Sequence, residues 1–473
     1  MITEMLVPYN PWWKGVKGNW REDIPDYRRT IVEKILSDIE ELPQIISITG
    51  PRRVGKTTSL RQVICHLLDV TKIDPKKIIY FSFDDPELFA SQEFQREIFD
   101  KLIEYAKKHG ASKDAPFYFF LDEIQRLPRW ELFLKKYYDL KFPGRFIISG
   151  SASSPIFRSS QESLLGRIKD RHLLPFSFRE FCLYTLHAKA GFEALLPAPE
   201  ELRQIILDGK VEDALQYLEA LDRNIKHFNE DISHAVNAYC KEGGFPEVWA
   251  IRDPIRKMEY LLEQQVRKVL YEDLMSLTKY KKPENVLRFF VYLLAHPGDE
   301  INTAKVANEI GVERRIIDEN LPRLIMTDLV IRVPKFTHKP LRAKQGNIKC
   351  YPIDLALRNA VLKTWHDFTS DPAMMGLYAE NLVIRQLLTW TEAIDITFYR
   401  EKNVEVDFIV THGGNKHLPI EVKHRQGKEM TTALKHFMKK YRLPYGLMVT
   451  RERQILLNDG ILCIPLRYFL LAT

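Results

Sequence analysis

The chain has 473 residues, of which 45% are hydrophobic, 28% are charged and 11% are aromatic. This composition is typical of globular proteins and excludes collagen-like, low-complexity and largely disordered chains. At about 150 residues per domain, the length indicates roughly three domains. The 70 Lys and Arg residues exceed the 63 Asp and Glu residues by a formal net charge of +7, which is too small to identify a polyanionic partner without local clustering.

We expect neither export nor membrane insertion. The apolar runs fall short of the roughly 18 to 20 residues that span a bilayer, and even residues 461–472 are interrupted by Pro465 and Arg467. Residues 1–10 lack the basic region, apolar core and cleavage site of a signal peptide. The five cysteines show no C-x-x-C spacing, which favours reduced thiols over a structural zinc site. The expectation is a soluble, cytoplasmic protein with no membrane partner.

Short apolar runs predict buried strands in the first 150 residues. They cover residues 44–49, 78–83, 117–121 and 146–149. The amphipathic stretches 57–68 and 94–108 lie between them and predict helices. Strands that alternate with helices indicate an α/β fold with a parallel sheet, which binds ligands at the carboxyl ends of its strands.

The turn after the first predicted strand matches the phosphate-binding motif G-x-x-x-x-G-K-[ST]. Backbone N–H groups of such a loop surround phosphates, and the N-terminus of the following helix attracts their negative charge. We expect Lys56 to contact the β- and γ-phosphates, and Thr57 to offer its hydroxyl to Mg²⁺. The residues expected to bind the nucleotide are Gly50, Pro51, Arg52, Arg53, Val54, Gly55, Lys56, Thr57 and Thr58.

Two further predicted strands end in polar residues suited to the same chemistry. The first is followed by Asp122, which is expected to hold Mg²⁺, and by Glu123, which is expected to activate the attacking water as general base. The other ends in Ser149, which is either a sensor of the γ-phosphate or an ordinary loop residue. The sequence therefore predicts nucleotide hydrolysis rather than binding alone.

One arginine is needed to complete such a site, and the sequence offers two. Arg167 is a candidate arginine finger or in-cis sensor, and Arg171 competes with it. ATP is the expected nucleotide, because the one guanine-like string, at residues 71–74, precedes the acidic strand and so stands in the wrong chain order.

The middle of the chain predicts helices, with a hairpin after them. Residues 199–282 favour a helical connector. Within 283–352, Asn302 as a helix cap, Gly311 as a turn and Pro322 in the second helix are typical of a helix-turn-helix. Strands predicted at 329–336 and 347–351 would add the hairpin of a winged helix. The basic residues at its tip, expected to contact DNA phosphates, are Lys335, His338, Lys339, Arg342 and Lys344.

Charged residues converge in the last predicted domain, which alternates a helix at 373–389 with strands at 394–400, 404–410, 418–423 and 445–449. In two neighbouring strands, Asp407 lies on the face opposite the valines, and Glu421 shares a face with Lys423. A hairpin would bring these three side chains together. Glu380 lies on the apolar stripe of the preceding helix, where a carboxylate requires a partner.

Asp407, Glu421 and Lys423 resemble the D-x(n)-E-x-K constellation of restriction-endonuclease-like nucleases, with Glu380 on the preceding helix. The resemblance implies that Asp407 and Glu421 hold Mg²⁺ and that Lys423 positions the nucleophile or stabilises developing charge. Two alternatives stay open. The hairpin is an amphipathic one with a merely charged face, or the fold is kept as a binding or regulatory module without cleavage.

Taken together, the motifs resemble those of a family of archaeal and bacterial AAA-type ATPases whose C-terminal half is catalogued as of unknown function. The sequence LDEIQ at 121–125, SGS at 149–151 and LPFSF at 174–178 carry the resemblance with the phosphate-binding loop. This sequence departs from the family's pattern after Asp354, where it has Leu-Ala-Leu in place of the usual Pro-Gly-Leu. Asn-Pro-Trp-Trp at 10–13 resembles archaeal members, and its two tryptophans either help to wall the adenine pocket or simply pack.

These features predict an Mg²⁺-dependent ATPase that couples ATP hydrolysis to DNA binding and to DNA cleavage or processing. The predicted segments are an AAA-type P-loop domain at 1–198, a helical connector at 199–282, a winged helix at 283–352 and a nuclease-like α/β domain at 353–473. Two other functions stay open: an ATP-driven regulatory switch with an inactive nuclease-like domain and a protein partner, and a helicase or remodelling motor without cleavage. Self-association also stays open.

Overall fold

The structure is a computed structural model. It describes residues 2–15, 18–86, 92–151, 163–186, 189, 191–274, 283–337, 348–365, 372–390, 394–423, 432–451 and 454–473. The chain divides into two compact units, Met1–Leu174 and Pro175–Thr473. In the described residues, no helix has the length and apolar character needed to cross a membrane.

The first unit is built on a five-stranded sheet in which every strand runs parallel to its neighbours. The strands are β1 (Ile45–Gly50), β2 (Ile78–Ser82), β3 (Phe117–Asp122), β4 (Gly144–Ser151) and β5 (Ile168–His172). Their order is β2-β3-β4-β1-β5, so β1 lies inside the sheet and its carboxyl end adjoins those of β4 and β5. All residues of β1 are buried, as expected for a parallel strand covered on both faces.

Two helices precede β1, and three more lie between the strands. They are α1 (Ile2–Leu6), α2 (Thr30–Glu41), α3 (Lys56–Asp69), α4 (Gln92–Lys108) and α5 (Trp130–Asp139), with short 3₁₀ turns at Val7–Tyr9, Pro11–Lys14, Asn19–Arg21, Pro75–Lys77 and Ile124–Arg126. The core between the sheet and α4 and α5 combines aliphatic side chains with many aromatic ones, including Phe81, Phe99, Phe119, Trp130 and Phe146. The four strands predicted in this part of the chain are confirmed, whereas β5 was not predicted.

The second unit begins with helices. They are α6 (Phe178–Thr185), α7 (Phe192–Leu195), α8 (Pro199–Leu207), α9 (Val211–Ile225), α10 (Asn229–Glu242), α11 (Pro246–Trp249) and α12 (Pro254–Leu261), with a 3₁₀ turn at Lys226–Phe228 and a π-helix at Leu262–Leu274. The unit starts at Pro175 and not near the predicted boundary at 198, because α6 packs within it. Phe178 and Phe181 contact the Tyr239 ring, and Arg179 donates to Leu471 O at 2.6 Å.

Three helices and a hairpin follow: α13 (Pro283–Ala295), α14 (Thr303–Ile310), α15 (Arg314–Met326), and strands β6 (Val330–Pro334) and β7 (Ile348–Pro352), which pair antiparallel. As predicted, the Asn302 side chain caps α14, Gly311 adopts a left-handed conformation (φ 67°), and Pro322 lies inside α15. Of the predicted basic tip, only Lys335 belongs to the described residues. His338, Lys339, Arg342 and Lys344 lie outside them, so the DNA-contacting tip stays a prediction.

The last part of the chain forms a six-stranded mixed sheet. Its elements are α16 (Leu355–Leu362), α17 (Pro372–Leu387), β8 (Asp395–Glu401), β9 (Val404–His412), β10 (Lys416–Lys423), α18 (Thr432–Tyr441), β11 (Gly446–Thr450), β12 (Leu456–Asn458), β13 (Ile461–Pro465) and α19 (Leu466–Ala472). The strand order is β12-β13-β11-β10-β9-β8. The four strands predicted here are confirmed as β8 to β11, and the β9–β10 pair is the predicted hairpin. This sheet brings the charged side chains of β9 and β10 side by side.

Candidate functional site

The phosphate-binding loop leaves β1 through a glycine that no other residue could replace without a clash. Gly50 has φ 150°, and a Cβ on it would lie 2.0 Å from Leu173 O. Gly55, at φ 98°, is the residue before α3, and Arg53 is left-handed at φ 60°. Positive φ angles at these positions turn the chain sharply between the strand and the N-terminus of α3.

Two basic side chains stabilise this loop. The Lys56 ammonium is buried and donates to the carbonyl oxygens of Gly50 and Pro51, at 3.1 and 2.7 Å. From outside the loop, Arg29 donates to Val54 O and to Leu174 O, both at 3.0 Å. These bonds hold the backbone carbonyl groups of Gly50, Pro51 and Val54 within the loop.

Asp122, at the end of β3, is the centre of a hydrogen-bond network. Its Oδ2 accepts from Thr57 Oγ1 at 2.7 Å and from Tyr80 OH at 2.8 Å. Its Oδ1 accepts from Ser149 Oγ and from the Glu123 N–H. The network joins three strands to the first turn of α3 and fixes the orientation of a buried carboxylate. A carboxylate and a hydroxyl that lie together offer hard oxygen ligands, which suit Mg²⁺.

Glu123 follows in a left-handed conformation (φ 51°), which is uncommon for a residue other than glycine and is a form of backbone strain found at functional sites. Its Oε2 accepts from Gln125 Nε2 at 2.5 Å. Burial raises the pKa of Glu123, Asp122 adds to the effect, and the positive charges of Lys56 and Arg52 oppose it. The carboxylate is thus positioned, buried and shifted toward the pKa range of a general base.

The structure does not bring Arg167 to this site. Arg167 immediately precedes β5, at the amino end of a strand parallel to β1, so it lies at the edge of the sheet opposite to Lys56. Its guanidinium pairs with Asp139, with Nε 2.8 Å from Oδ1. The competing Arg171 pairs with Asp38 at 2.6 Å. Within one chain, therefore, the interpretation of Arg167 as an in-cis sensor is wrong.

Trp12 and Trp13 also lie elsewhere than at an adenine pocket. Both indole N–H groups donate to Ile78 O, at 3.2 and 3.0 Å, and Trp13 stacks on Tyr105. Ile78 is the first residue of β2, an edge strand, so the tryptophans cover the amino end of that edge. Their role is packing, which was the second of the two interpretations.

Sequence analysis missed three residues of this site: Tyr80, Arg29 and Gln125. Gln125 stood in the quoted LDEIQ string, which is the one signal that could have found it. Tyr80 and Arg29 carry no local motif, because their partners lie on other elements of the fold. Ser149 was found, and its hydroxyl donates to Asp122, so it is placed to orient that carboxylate.

A second cluster of acids lies in the C-terminal sheet. The Asp407 Oδ2 accepts from the Val422 N–H at 2.8 Å, so the carboxylate of β9 reaches the backbone of β10 beside Glu421. Glu421 pairs with Lys423, with Oε1 2.5 Å from Nζ. Its other oxygen, Oε2, is buried and has no hydrogen-bond partner in the part of the chain that the structure describes. The predicted convergence of Asp407, Glu421 and Lys423 is confirmed as geometry.

Glu380, on α17, joins the same cluster. Burial raises the pKa of Glu380 to about 8, and the charge of Asp407 adds to it. The same two causes raise the pKa of Glu421 to about 8. Burial also raises the pKa of Asp407, although Lys349 lowers it. Three carboxyl groups that resist ionisation together form a site of high negative potential once they ionise.

The hairpin strand β7 supplies the remaining side chains of this cluster. Tyr351 OH donates to Glu380 Oε2 at 3.4 Å. The buried Lys349 ammonium lies 2.5 Å from Glu405 Oε1, and its charge lowers the pKa of Glu380. Across the described ranges, no group of three or more His, Cys, Asp or Glu side chains is arranged to hold a metal ion.

Family comparisons cover three segments of the chain. Residues 42–182 match the family model of an AAA domain. Residues 233–366 match a domain of unknown function (DUF8612), and residues 375–469 match another (DUF4143). The first match agrees with the phosphate-binding loop and the parallel sheet. The first unit thus contains an α/β domain with a parallel sheet that is similar to AAA domains.

Two uncharacterized proteins of Methanocaldococcus jannaschii, MJ1637 and MJ1544, are similar to this chain. MJ1637 is 24% identical over 93% of this chain and 87% of its own length. MJ1544 is 26% identical over 80% of this chain and 75% of its own length. Among solved structures, C. elegans PCH-2 is 14% identical over 37% of this chain and 50% of that chain, with a TM-score of 0.27. A DNA replication initiation factor is 17% identical over 62% of this chain and 87% of that chain, with a TM-score of 0.24. TM-scores this low do not define a shared fold.

Proposed function

We propose that the first unit binds ATP with Mg²⁺ and hydrolyses it. The observation that carries this proposal is the Asp122 network, which links Thr57 of the phosphate-binding loop to a carboxylate directly before Glu123. Thr57 and Asp122 would hold Mg²⁺, and the ion would neutralise charge on the phosphates. The hydroxyl and carboxylate oxygens share a hydrogen bond of 2.7 Å, a donor set that fits such a cation.

The chain's own residues account for the remaining steps. The backbone N–H groups between Gly50 and Thr58 receive the phosphate oxygens, and the Lys56 ammonium exchanges its carbonyl partners for phosphate. Glu123 accepts a proton from the attacking water, and Gln125 holds its carboxylate in place. The raised pKa of Glu123 makes it a stronger base than an exposed glutamate, since a base becomes more effective as its pKa approaches the working pH.

The test is phosphate release by the full chain with ATP or GTP, with Mg²⁺ or with EDTA. We expect Mg²⁺-dependent release from ATP. Lys56→Ala should lose binding and release, whereas Lys101→Ala, a surface lysine paired with Glu97 on α4, should keep both. Release that is unchanged in Lys56→Ala, or that is absent from the wild type with every nucleotide, would refute the proposal.

A second proposed activity, metal-dependent DNA cleavage, rests on the acidic cluster of the second unit. The buried Glu421 Oε2 lacks a hydrogen-bond partner within the described part of the chain, although a buried carboxylate oxygen is costly to leave unpaired. Asp407 and Glu421 would hold the cation, which would polarise a phosphodiester and provide hydroxide, and Lys423 would stabilise the developing charge. The helices α14 and α15 with the β6–β7 hairpin would act as a winged helix that contacts the DNA backbone.

Two measurements separate this activity from its alternatives. The first is cleavage of supercoiled and linear DNA with Mg²⁺ or Mn²⁺, comparing the wild type with Asp407→Asn and Glu421→Gln. The second is the salt dependence of DNA binding, which should be steep if the contacts are with phosphates. DNA binding without cleavage would favour the motor without nuclease activity. Neither binding nor cleavage would favour the regulatory switch with a protein partner.

A further inference from the structure

We infer that the segment Tyr9–Asn10 is a working part of the nucleotide site, because Asn10 positions Tyr80 and Tyr80 positions the Asp122 carboxylate. The inference rests on the proposed ATPase function. It adds residues that precede the AAA domain match, which begins at residue 42, and it assigns Tyr80 as a positioning residue. Each step is a contact in the first unit.

The first step is the pairing of Asn10 with the free edge of β2. The buried Asn10 amide accepts from the Tyr80 N–H at 2.7 Å and donates to the Tyr80 carbonyl at 2.9 Å. The side chain thereby makes both bonds that a neighbouring strand would make at this residue. The same amide donates to Leu6 O at 2.8 Å, which ties it to α1. Asn10 therefore fixes the backbone of one residue on a strand that lies at the edge of the sheet in the described part of the chain.

The second step runs along the sheet from Tyr80 to Asp122. Tyr80 pairs in register with Phe120 of β3, two residues before Asp122, and its hydroxyl reaches Asp122 Oδ2 at 2.8 Å. The phenol thus donates directly to the carboxylate at the end of the neighbouring strand.

The third step concerns what Tyr80 does when the site is used. Asp122 Oδ2 receives two side-chain donors, Thr57 and Tyr80. Thr57 is also the residue whose hydroxyl is expected to serve Mg²⁺. When Thr57 takes up that role, Tyr80 remains as the side-chain donor that keeps Oδ2 oriented. A carboxylate held in a fixed orientation binds a cation more tightly than one that must first be ordered.

Neighbouring contacts keep the segment in place at both ends of β2. Tyr9 OH donates to Asp85 Oδ2 at 2.5 Å, just beyond the carboxyl end of the strand, and the Tyr9 ring packs edge-on against Phe81. Trp12 and Trp13 donate to Ile78 O at the amino end. The segment is thus fixed along the whole strand, and its effect on the nucleotide site passes through Tyr80.

The test is the Mg²⁺ dependence of ATP hydrolysis in Tyr80→Phe, which removes one hydroxyl and keeps the ring. We expect the half-saturating Mg²⁺ concentration to rise about tenfold, since a hydrogen bond to a charged group is lost. ATP affinity in EDTA should stay unchanged. Tyr137→Phe is the matched control, because it removes a tyrosine-to-aspartate bond of the same kind, to Asp100, away from the site.

A double-mutant cycle tests the contribution of Asn10. Asn10→Ala should raise the Mg²⁺ requirement in the wild type and add little in the Tyr80→Phe background, because Asn10 acts through Tyr80. Thermal melting of each variant separates this effect from loss of fold. Mn²⁺ binding with a non-hydrolysable ATP analogue, followed by electron paramagnetic resonance, gives a readout without turnover.

The outcomes distinguish the inference from the proposed function. If the wild type hydrolyses ATP and Tyr80→Phe keeps its Mg²⁺ dependence, the inference is wrong and the ATPase function stands. If Asn10→Ala and Tyr80→Phe act additively, the assignment of Asn10 is wrong. If the wild type binds neither the analogue nor Mn²⁺, the proposed function fails and the inference fails with it.

Discussion

Replacing Glu421 with glutamine should make the C-terminal sheet more stable at pH 8 and change little at pH 5. Burial and the charge of Asp407 raise the pKa of Glu421 from 4.5 to about 8. The folded chain therefore holds a proton that the unfolded chain releases, and stability falls as pH rises between these two values. A glutamine keeps the shape of the side chain and has no proton to lose.

The size of the effect follows from the pKa interval. At about 1.36 kcal/mol per pH unit, an interval from 4.5 to about 8 corresponds to at most about 5 kcal/mol above pH 8 and about 3 kcal/mol at pH 7. Glu380 has a raised pKa of about 8 as well, so it retains a pH-dependent loss of its own in the variant. We expect Glu421→Gln alone to remove part of the decrease in stability with pH. The double variant, which also carries Glu380→Gln, should remove most of it.

Amide hydrogen exchange in EDTA, corrected for intrinsic exchange rates, measures the pH dependence of local stability in β9 and β10. Protection in the wild type should decrease from pH 5 to pH 8 more steeply than in Glu421→Gln. If the cluster binds a cation, Mn²⁺ at pH 8 should restore protection in the wild type and not in the variant. Equal slopes in both proteins would refute the assignment of a buried, proton-holding Glu421.

Three further predictions concern the first unit. Glu123→Gln should lower ATP hydrolysis by about 100-fold or more while ATP binding is retained, measured by phosphate release and by binding of a fluorescent ATP analogue. Gly50→Ala should abolish nucleotide binding, because its Cβ would lie 2.0 Å from Leu173 O, and binding that persists would contradict the loop geometry. Arg167→Ala should leave ATP affinity unchanged at low protein concentration, since Arg167 lies at the opposite edge of the sheet. A loss of affinity there would show that the arginine reaches its own nucleotide.

Local sequence signals were sufficient for the parts of the fold that depend on neighbouring residues. The apolar runs predicted β1 to β4, and the glycine motif predicted the phosphate-binding loop, because a strand and a loop of this kind each depend on a few consecutive residues. The side-chain alternation of strands placed Asp407 and Glu421 on faces that meet, since antiparallel pairing of β9 with β10 follows from a short turn. Asn302, Gly311 and Pro322 marked the limits and the interior of α14 and α15 for the same reason.

Features that depend on strand order could not be predicted in this way. β5 has the sequence IKDRH at the edge of the sheet, and its charged residues hide it from a search for apolar runs. Without β5, nothing indicated that Arg167 precedes a strand parallel to β1, and so lies at the wrong edge. Tyr80 was missed because its contact with Asp122 requires β2 to neighbour β3, which no local motif specifies.

The acidic cluster, finally, is not confined to the predicted domain at 353–473. Lys349 and Tyr351 reach it from β7, and Phe336, just after β6, donates its N–H to Phe398 O at 2.7 Å. A fragment of residues 353–473 would therefore leave Glu405 without its buried lysine. It would also expose the face of the Phe437 ring against which Phe336 packs. We expect that fragment to melt at a lower temperature than one of residues 283–473, and Lys349→Met in the longer fragment to account for part of the difference. The physical reason is that a buried ion pair that loses one partner leaves an uncompensated charge. Equal melting temperatures for the two fragments would show that the hairpin contributes nothing to the stability of the sheet.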